Sequence, residues 1–274
     1  FEGHSPHRPW VDQIKIKCPK CNELAERIPD VGNPWLDAGI VPFSTMPEDW
    51  FPADFVTEGF PGQFKNWFYS LIAMSTALER TNPFKNLLGF ANVVDEKGEE
   101  MHKSKGNSIE FNEAADKIGV DVMRWMFATA NPENNLNFGY SVADEIRRKF
   151  YLILWNSYKF FIDYANVNDW DDKEKPTDLS VLDRWIISRL NEVILIVNEK
   201  LRKFDAQIPS CTLEDFIVND FSTWYIRRSR DRVSPESNLK DRNSALFTMH
   251  KVLLTLSKAL TPFLPFVSET IYKN

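Results

Sequence analysis

The apolar residues of this chain change their period near Asn107, and this change limits the possible folds more than any other feature. Before it, a run with helical spacing at residues 67–78 stands between two β-prone runs, at residues 54–57 and 87–94. This order predicts a βαβ unit with parallel strands. Ligands of open parallel sheets bind beyond the carboxyl ends of the strands, so Glu58, Gly59 and the loop after Val94 are candidate binding segments.

After Asn107 the pattern is helical almost to the end. Ser141, Ser180 and Thr212 are each followed three residues later by an aspartate, which predicts capping boxes at the starts of three helices. A polar stretch, residues 166–180, separates the first of these helices from the second. In the second helix, seven apolar residues fall on one face: Leu182, Trp185, Ile186, Leu190, Val193, Val197 and Leu201. The second part of the chain is therefore predicted to be an all-α bundle.

Composition narrows the function classes. The 274 residues are 43% hydrophobic, which is enough for two domains with buried cores. No apolar run reaches the roughly 18–20 residues of a membrane span, and the first residues lack the pattern of a signal peptide, so a cytoplasmic protein without membrane contact is expected. The net charge of −6 excludes capture of nucleic acid by the whole surface, so RNA contact requires a local basic cluster.

The three cysteines form no disulfide framework, as expected in a reducing compartment. Cys18 and Cys21 have the spacing of a zinc knuckle, in which two thiolates on one turn supply half of a tetrahedral site. The alternative is a turn with two reduced surface thiols. Cys211 lies too far along the chain to join them.

A polar loop bounded by glycines, residues 98–107, follows the last predicted strand, and we call it the lysine loop. Lys103 and Lys105 flank Ser104, and their ammonium and hydroxyl groups suit a polyphosphate on which charge develops as pyrophosphate leaves. An ordinary solvated turn has the same composition, so the residues alone leave both interpretations open.

The motif Met-His-Lys-Ser-Lys-Gly-Asn at residues 101–107 resembles the KMSKS loop of class I aminoacyl-tRNA synthetases. The resemblance implies that Lys103 stabilises the phosphates of ATP during amino-acid activation, with Ser104 beside it in the catalytic loop. It also implies ATP and Mg²⁺ as the cofactors. The family's first lysine is replaced by Glu100, and its first serine is replaced by His102.

Upstream, residues 27–39 resemble the segment through which isoleucyl-tRNA synthetases return from their inserted editing domain, and residues 51–59 and 67–71 match the isoleucyl branch. By this resemblance, Trp35 and Trp67 wall the isoleucine pocket, Glu58 contacts the adenylate, and Gly59 and Gln63 belong to the nucleotide site. The valyl branch typically has Thr-Gly in place of Glu-Gly. Without the resemblance, the tryptophans are better explained as core residues, which is the more common role of this residue type.

This region also departs from the family at one point. The isoleucyl pattern Glu-Gly-x-Asp-Gln is replaced by Glu-Gly-Phe-Pro-Gly-Gln, with one residue more before Trp67. The ribose-contacting aspartate of the family therefore has no counterpart in this chain.

Residues 183–190 and 221–230 resemble the anticodon-binding domain shared by the isoleucyl, valyl and leucyl enzymes. Guanidinium groups bind phosphates and aromatic faces stack on unpaired bases, so an RNA-binding stripe is predicted with these members: Trp224, Tyr225, Arg227, Arg228, Arg230 and Arg232. The alternative is that the aromatic residues are core and the arginines pair with carboxylates such as Asp220, Asp231 and Asp241.

The expected fold is the α/β C-terminal half of a Rossmann-type catalytic domain, with a parallel βαβ unit, followed by an all-α helical bundle. Its expected segments are a connector at 1–33, the half-domain at 34–110, a stem-contact segment at 111–140 and the anticodon-binding bundle at 141–274. The chain contains no His-x-Gly-His motif, so the first half of the catalytic domain and the editing domain are expected to be missing.

The predicted function is part of a ligase that joins isoleucine to its tRNA with ATP, monomeric and inactive as this piece alone. Partners of Cys18 and Cys21 for Zn²⁺ are expected in the longer protein. Two alternatives remain open at this point: part of a valyl-tRNA synthetase, or a non-catalytic tRNA-binding accessory module.

Overall fold

The structure, a computed structural model, describes residues 7–30, 32–173 and 175–274. Residues 1–6 and 31 of the predicted connector, and residue 174 of the predicted polar stretch, lie outside the described residues. The chain forms two compact units, Phe1–Phe90 and Ala91–Asn274. The predicted half-domain at 34–110 is thus divided between them, and the lysine loop belongs to the second unit.

The first unit contains the predicted βαβ arrangement. Its strands and helices are β1 (Lys15–Lys17), β2 (Leu24–Glu26), α1 (Pro34–Thr45), β3 (Val56–Gly59), α2 (Phe60–Gln63), α3 (Trp67–Leu78) and β4 (Leu87–Phe90), with short 3₁₀ turns at Val11–Gln13 and Glu48–Trp50. Strands β1 and β2 are antiparallel. Strands β3 and β4 are parallel, with Glu58 opposite Gly89, so the predicted parallel pair is confirmed.

Helices α1 and α3 pack against each other in this unit. The approach is close at Gly39, where an added Cβ atom would lie 2.7 Å from the backbone oxygen of Ser70. Phe68 and Leu71 on α3 are buried. Side chains larger than hydrogen at position 39 would therefore separate the two helices.

The second unit begins with β5 (Val93–Val94), which pairs in parallel with β6 (Leu136–Asn137). The single strand predicted at residues 87–94 is therefore wrong, because the run is divided between two different sheets. The division occurs where the amide of Ala91 donates to Pro132 O at 2.8 Å and that of Asn92 donates to Asn135 Oδ1 at 3.1 Å. These bonds pair the backbone after Phe90 with a different neighbour.

The rest of the second unit is helical, as predicted. Its helices are α4 (Phe111–Ile118), α5 (Val120–Thr129), α6 (Tyr140–Ile146), α7 (Leu152–Val167), α8 (Val181–Leu201), α9 (Gln207–Asp215), α10 (Arg227–Ser229), α11 (Leu239–Leu260) and α12 (Pro265–Lys273). Two π-helical segments, Arg147–Tyr151 and Phe216–Ile226, join α6 to α7 and α9 to α10. Short 3₁₀ turns occur at Lys103–Lys105 and Asp231–Val233.

The larger apolar core lies among these helices. On α8, Ile186, Leu190, Val193 and Val197 are buried, and the other three residues of the predicted stripe are partly buried against the same core. The face predicted from helical spacing is therefore confirmed. A smaller core forms around α4 and α5.

The three predicted capping boxes have different outcomes. Ser180 caps α8, since its hydroxyl accepts from the Asp183 amide and the Asp183 carboxylate accepts from the Ser180 amide. The prediction is wrong at Thr212, which lies inside α9 and donates to Ile208 O at 2.7 Å. It is also wrong at Ser141, which follows the first residue of α6 and bonds to Glu96. Among the described residues, no helix is both long and apolar enough to cross a bilayer.

Candidate functional site

The lysine loop is held at its base by Asp95, the first residue after β5. Its carboxylate accepts from the amides of Lys97 and Glu99 at 2.9 Å each, and from the Asn107 side-chain amide at 2.9 Å. The hydrogen bond from Asn107, followed by that from the Glu99 amide, holds the pKa of Asp95 below its ordinary value. Sequence reasoning missed Asp95, although a strand followed by aspartate and a nearby glycine predicts such a turn.

Asn107 closes the other side of the loop. Its side-chain oxygen accepts from the His102 amide at 2.9 Å, and its side-chain nitrogen also donates to Glu100 O at 3.1 Å. Gly106, with a φ of 72°, ends the 3₁₀ turn in the left-handed region that glycine adopts without strain. Asn107 and Gly106 therefore both stabilise the conformation of this loop.

Two groups of the lysine loop, those predicted to act on the phosphates of ATP, have no internal partner among the described residues. Lys103 and Ser104 are exposed, and neither side chain has a hydrogen-bond or ion-pair partner within the described part of the chain. The two departures from the family motif are neighbours, since His102 Nε2 lies 3.4 Å from Glu100 Oε2. The loop thus presents Lys103 and Ser104, unpaired within the described residues, on a backbone fixed by hydrogen bonds.

The first unit carries the candidate amino-acid and nucleotide residues. Trp35 and Trp67 lie in the first turns of α1 and α3, the two helices that pack together, and both are partly buried. Glu58 is exposed near the end of β3 and accepts from the amide of Gly59 at 2.8 Å. All of these residues therefore belong to the first compact unit, with Glu58 and Trp67 inside its βαβ arrangement and Trp35 on the preceding helix α1.

Gln63 and the extra residue before Trp67 have a structural explanation. Residues Phe60–Gln63 form the single helical turn α2, with Pro61 in its first turn. The Gln63 side-chain oxygen accepts from the Trp67 amide at 3.3 Å, at the start of α3. The residues that follow Glu58-Gly59 thus form a turn of helix, and Gln63 bonds to the first amide of the helix that carries Trp67.

Cys18 and Cys21 lie in the turn of the β1–β2 hairpin. The Cys18 amide donates to Glu23 O at 2.8 Å, and the Asn22 amide donates to Cys18 O at 2.9 Å. Backbone amides of Cys21 and then Lys20 donate to the Cys18 sulfur and lower the pKa of its thiol. A turn that favours the thiolate suits half of a zinc site, because the thiolate is the form that binds metal. The described residues contain no group of three or more potential metal ligands.

Four residues of the predicted RNA-binding stripe face solvent. Trp224 is 47% exposed, and the Arg228 guanidinium lies 3.8 Å from the centre of its ring. Arg227 and Arg230 are exposed as well. An exposed indole with a guanidinium stacked on it, next to two further arginines, has the chemistry that binds unstacked bases and phosphates. We call Trp224, Arg227, Arg228 and Arg230 the basic face.

The structure corrects the prediction for Tyr225 and Arg232. Tyr225 is completely buried, and its hydroxyl donates to Asp183 Oδ1 at 2.6 Å. Arg232 donates to both oxygens of Asp183, at 2.9 and 2.8 Å, and to Asp241 at 2.7 Å. Both side chains are therefore committed to a buried network, which we call the Asp183 network, because these partners satisfy them inside the helical unit.

Ionisation in the Asp183 network follows from these bonds. Burial by itself raises the pKa of Asp183, but hydrogen bonds from Arg232, Tyr225 and Ser180 outweigh it and lower the pKa overall. Burial, together with the charge of Asp183, raises the pKa of Tyr225 well above its ordinary value. For Arg232 the carboxylates outweigh burial and raise the pKa, so the guanidinium is charged at any ordinary pH.

Two family profiles match this chain. Residues 2–139 match the class I tRNA synthetases (I, L, M and V), and residues 183–274 match the anticodon-binding domain of tRNA ligases. Because the first match covers half of the chain, the chain belongs to the class I tRNA synthetases of this group. The class predicted from the lysine loop and the arginine-rich helix is therefore confirmed.

Within this class, the chain is similar to isoleucine–tRNA ligases. It is 38% identical to the enzyme of Dehalococcoides mccartyi and 37% identical to the enzyme of Clostridium tetani, in each case over 98% of this chain. It is 35% identical to the enzyme of Thermus thermophilus over 100% of this chain. The chain spans only 27–28% of the length of these relatives.

Solved structures support the fold. A ternary complex of an Agrobacterium radiobacter LeuRS with tRNA and LeuAMS matches with a TM-score of 0.69 at 19% identity, over 94% of this chain and 34% of that one. A Mycobacterium tuberculosis methionyl-tRNA synthetase with methionyl-adenylate matches with a TM-score of 0.74 at 15% identity, over 94% and 53% of the two chains. At these identities the match establishes the fold alone.

Proposed function

We propose that this chain is part of an isoleucine–tRNA ligase, which activates isoleucine with ATP and transfers it to its tRNA. The observation that carries the proposal is the similarity to isoleucine–tRNA ligases along essentially the whole chain. The segments that resemble the isoleucyl branch carry Trp35, Glu58 and Trp67, and all three residues belong to the first compact unit.

In the proposed reaction, the isoleucine carboxylate attacks the α-phosphorus of ATP in line with the departing pyrophosphate. Lys103 would donate to the phosphate oxygens on which charge develops as the bond breaks. Its ammonium group is exposed and has no partner among the residues that the structure describes, which leaves it available for this contact. Mg²⁺ would arrive with ATP, because this ion is commonly held by substrate phosphates with few protein ligands.

The amino-acid side of the site would come from the first unit. Trp35 and Trp67 are large, rigid and partly buried, which suits them to wall an apolar pocket for isoleucine. The exposed carboxylate of Glu58 would accept hydrogen bonds from the adenylate. Isoleucine and valine differ by one methylene group, which an apolar pocket distinguishes by only about 1–3 kcal/mol. The preferred amino acid must therefore be measured.

The helical part of the second unit would bind tRNA. The basic face offers guanidinium groups for phosphates and an indole for stacking, although the whole chain is acidic. We propose Trp224, Arg227, Arg228 and Arg230 as its RNA contacts. The zinc proposal likewise extends to the longer protein, where Cys18 and Cys21 would supply two of four ligands.

The test is amino-acid-dependent exchange between pyrophosphate and ATP, measured with the full-length protein that contains this chain. We expect exchange with isoleucine at a higher kcat/KM than with valine, and a loss of at least about a hundredfold for Lys103→Ala, the size of effect seen when a transition-state charge contact is removed. Arg148→Ala, an exposed cation outside the site, is the matched control. A preference for valine would establish the valyl alternative, and tRNA binding without any exchange would establish the accessory-module alternative.

A further inference from the structure

Glu96 connects the base of the lysine loop to a distant helix. It follows Asp95 directly, and its carboxylate oxygen Oε1 accepts from the amide of Ser141 at 2.6 Å and from the Ser141 hydroxyl at 2.7 Å. The two residues are 45 positions apart in the chain. The contact therefore joins two segments that the sequence does not place together.

Glu96 caps the N-terminus of α6, which the residue directly before the helix does not cap. The residue before the helix is Gly139, which has no side chain to accept from the first amides. A carboxylate at a helix N-terminus accepts from unpaired amides and interacts favourably with the helix dipole. In agreement, hydrogen bonds from the Ser141 hydroxyl and then its amide lower the pKa of Glu96.

Gly139 makes room for the contact. A Cβ atom added at this position would overlap the Cγ, Cδ and Oε1 atoms of Glu96. The backbone of Gly139 is extended, with a φ of 172°, so its conformation does not require glycine. The requirement is for space, and any larger residue would have to displace the Glu96 side chain from the helix end.

The capped helix leads into the bundle. Residues 140–167 run through α6, the π segment Arg147–Tyr151 and α7 without a break. On α7, Leu154 and Phe161 are buried in the larger core, and α7 packs against the π segment Phe216–Ile226, which includes Trp224. The lysine loop is thus joined at its base to a helix that the main core holds in place.

We propose that Glu96 is a positioning residue that sets the place of the lysine loop by binding the first turn of α6. The inference rests on the proposed function of the loop. Asp95 fixes the loop to its own turn, and Glu96, the next residue, fixes that turn to the helix. Charge stabilisation of a departing pyrophosphate requires an accurately placed ammonium group, and small displacements reduce the rate.

A double-mutant cycle tests the contact in this chain. Glu96→Ala, Gly139→Ala and the double variant are compared by urea unfolding and by hydrogen exchange of the His102 amide, which Asn107 holds in the lysine loop. We expect Gly139→Ala to speed exchange of that amide severalfold when Glu96 is present, and to have no effect in the Glu96→Ala background, where the overlap is absent. Equal effects in both backgrounds would overturn the inference.

Kinetics of the full-length protein test the function. Glu96→Ala is expected to lower kcat for pyrophosphate exchange about tenfold, the equivalent of one charge-assisted hydrogen bond, while the KM for isoleucine stays unchanged. Glu96→Gln should restore most of the rate, because its amide oxygen can also accept from Ser141. Glu145→Ala, an exposed acid on the same helix, is the control.

The two possible failures are distinguishable. If the unmodified protein shows no isoleucine-dependent exchange, the proposed function fails and the inference falls with it. If that protein exchanges normally and Glu96→Ala behaves like Glu145→Ala, the inference alone is overturned.

Discussion

Arg232 differs from the other arginines of its segment in what surrounds its guanidinium group. Its side chain is 14% exposed and bonds to a completely buried carboxylate, whereas the guanidinium of Arg228 lies on an exposed indole. About one helical turn therefore separates a structural arginine from an arginine that we propose to bind RNA. The distinction governs which substitutions should affect stability and which should affect RNA binding.

For the basic face, we expect Arg228→Ala with Arg230→Ala to weaken tRNA binding and to lower its salt dependence, because each lost phosphate contact removes released counterions. The measurement is affinity for isoleucine tRNA across a KCl series. Arg148→Ala with Arg202→Ala removes the same charge from other exposed positions and is the control. Equal affinities and slopes for the two double variants would contradict the assignment.

Trp224 is also predicted to bind RNA, and the stability of a Trp224 variant distinguishes this role from a role in the core. Because it is 47% exposed, Trp224→Ala should reduce RNA affinity while changing the free energy of unfolding by about 1 kcal/mol or less. The interpretation of Trp224 as a core residue would instead require about 3–5 kcal/mol. Urea unfolding of the variant decides between these values.

The Asp183 network predicts a stability that depends on pH. The folded pKa of Asp183 is lowered from 3.8, so its stabilising contribution is present above that value and is lost as the pH falls through the folded pKa. We expect Asp183→Asn to lower the free energy of unfolding by about 3–5 kcal/mol at pH 7, with a smaller difference at about pH 3. The side chain of Asp241 is 44% exposed, so Asp241→Asn should lower the free energy of unfolding by less. A pH-independent difference for Asp183→Asn would contradict this linkage.

At the scale of the element, α8 and α9 differ in how they begin, although the sequence predicts the same cap for both. Ser180 accepts from the amide of Asp183, whereas Thr212 bonds back to the preceding turn of a helix that starts at Gln207. We expect Ser180→Ala to destabilise the fold by about 1 kcal/mol, and Thr212→Ala to be neutral within about 0.5 kcal/mol. Thermal unfolding of the two variants is the measurement, and equal costs for the two changes would contradict the capping assignment.

The π segment Phe216–Ile226 carries the two aromatic residues of the predicted stripe, Trp224 and Tyr225, and places them in different surroundings. A wider turn rotates the residues that follow it relative to an α-helix. Trp224 then faces solvent while Tyr225 enters the core. The apolar residues of this segment are compatible with an α-helix as well as with a π-helix. In the observed π-helical form, the segment packs against α7 and α8.

At the scale of the whole molecule, the chain carries only part of what its relatives contain. It spans 27–28% of their length, and the parallel sheet described in its first unit has two strands. We expect the isolated chain to show no isoleucine-dependent exchange of pyrophosphate with ATP, under conditions where the full-length protein is active. Measurable exchange by the purified chain would show that these residues suffice for activation.

The sequence by itself determined the parallel βαβ order, the buried face of α8 and the class of protein. Each of these depends on a local period or a contiguous motif, because side chains two, three or four residues apart share a face of a strand or helix. The Ser180 cap was predictable for the same reason, since its donor and acceptor lie within one turn.

Only the tertiary structure decided which arginine is structural, where the run at residues 87–94 divides, and what caps α6. Arg232 meets Asp183 across 49 residues, and Glu96 meets Ser141 across 45. A hydrogen-bond partner at that separation leaves no periodic trace in the sequence. Burial of Asp183 and Tyr225, and the space that Gly139 leaves for Glu96, arise only when distant segments pack together.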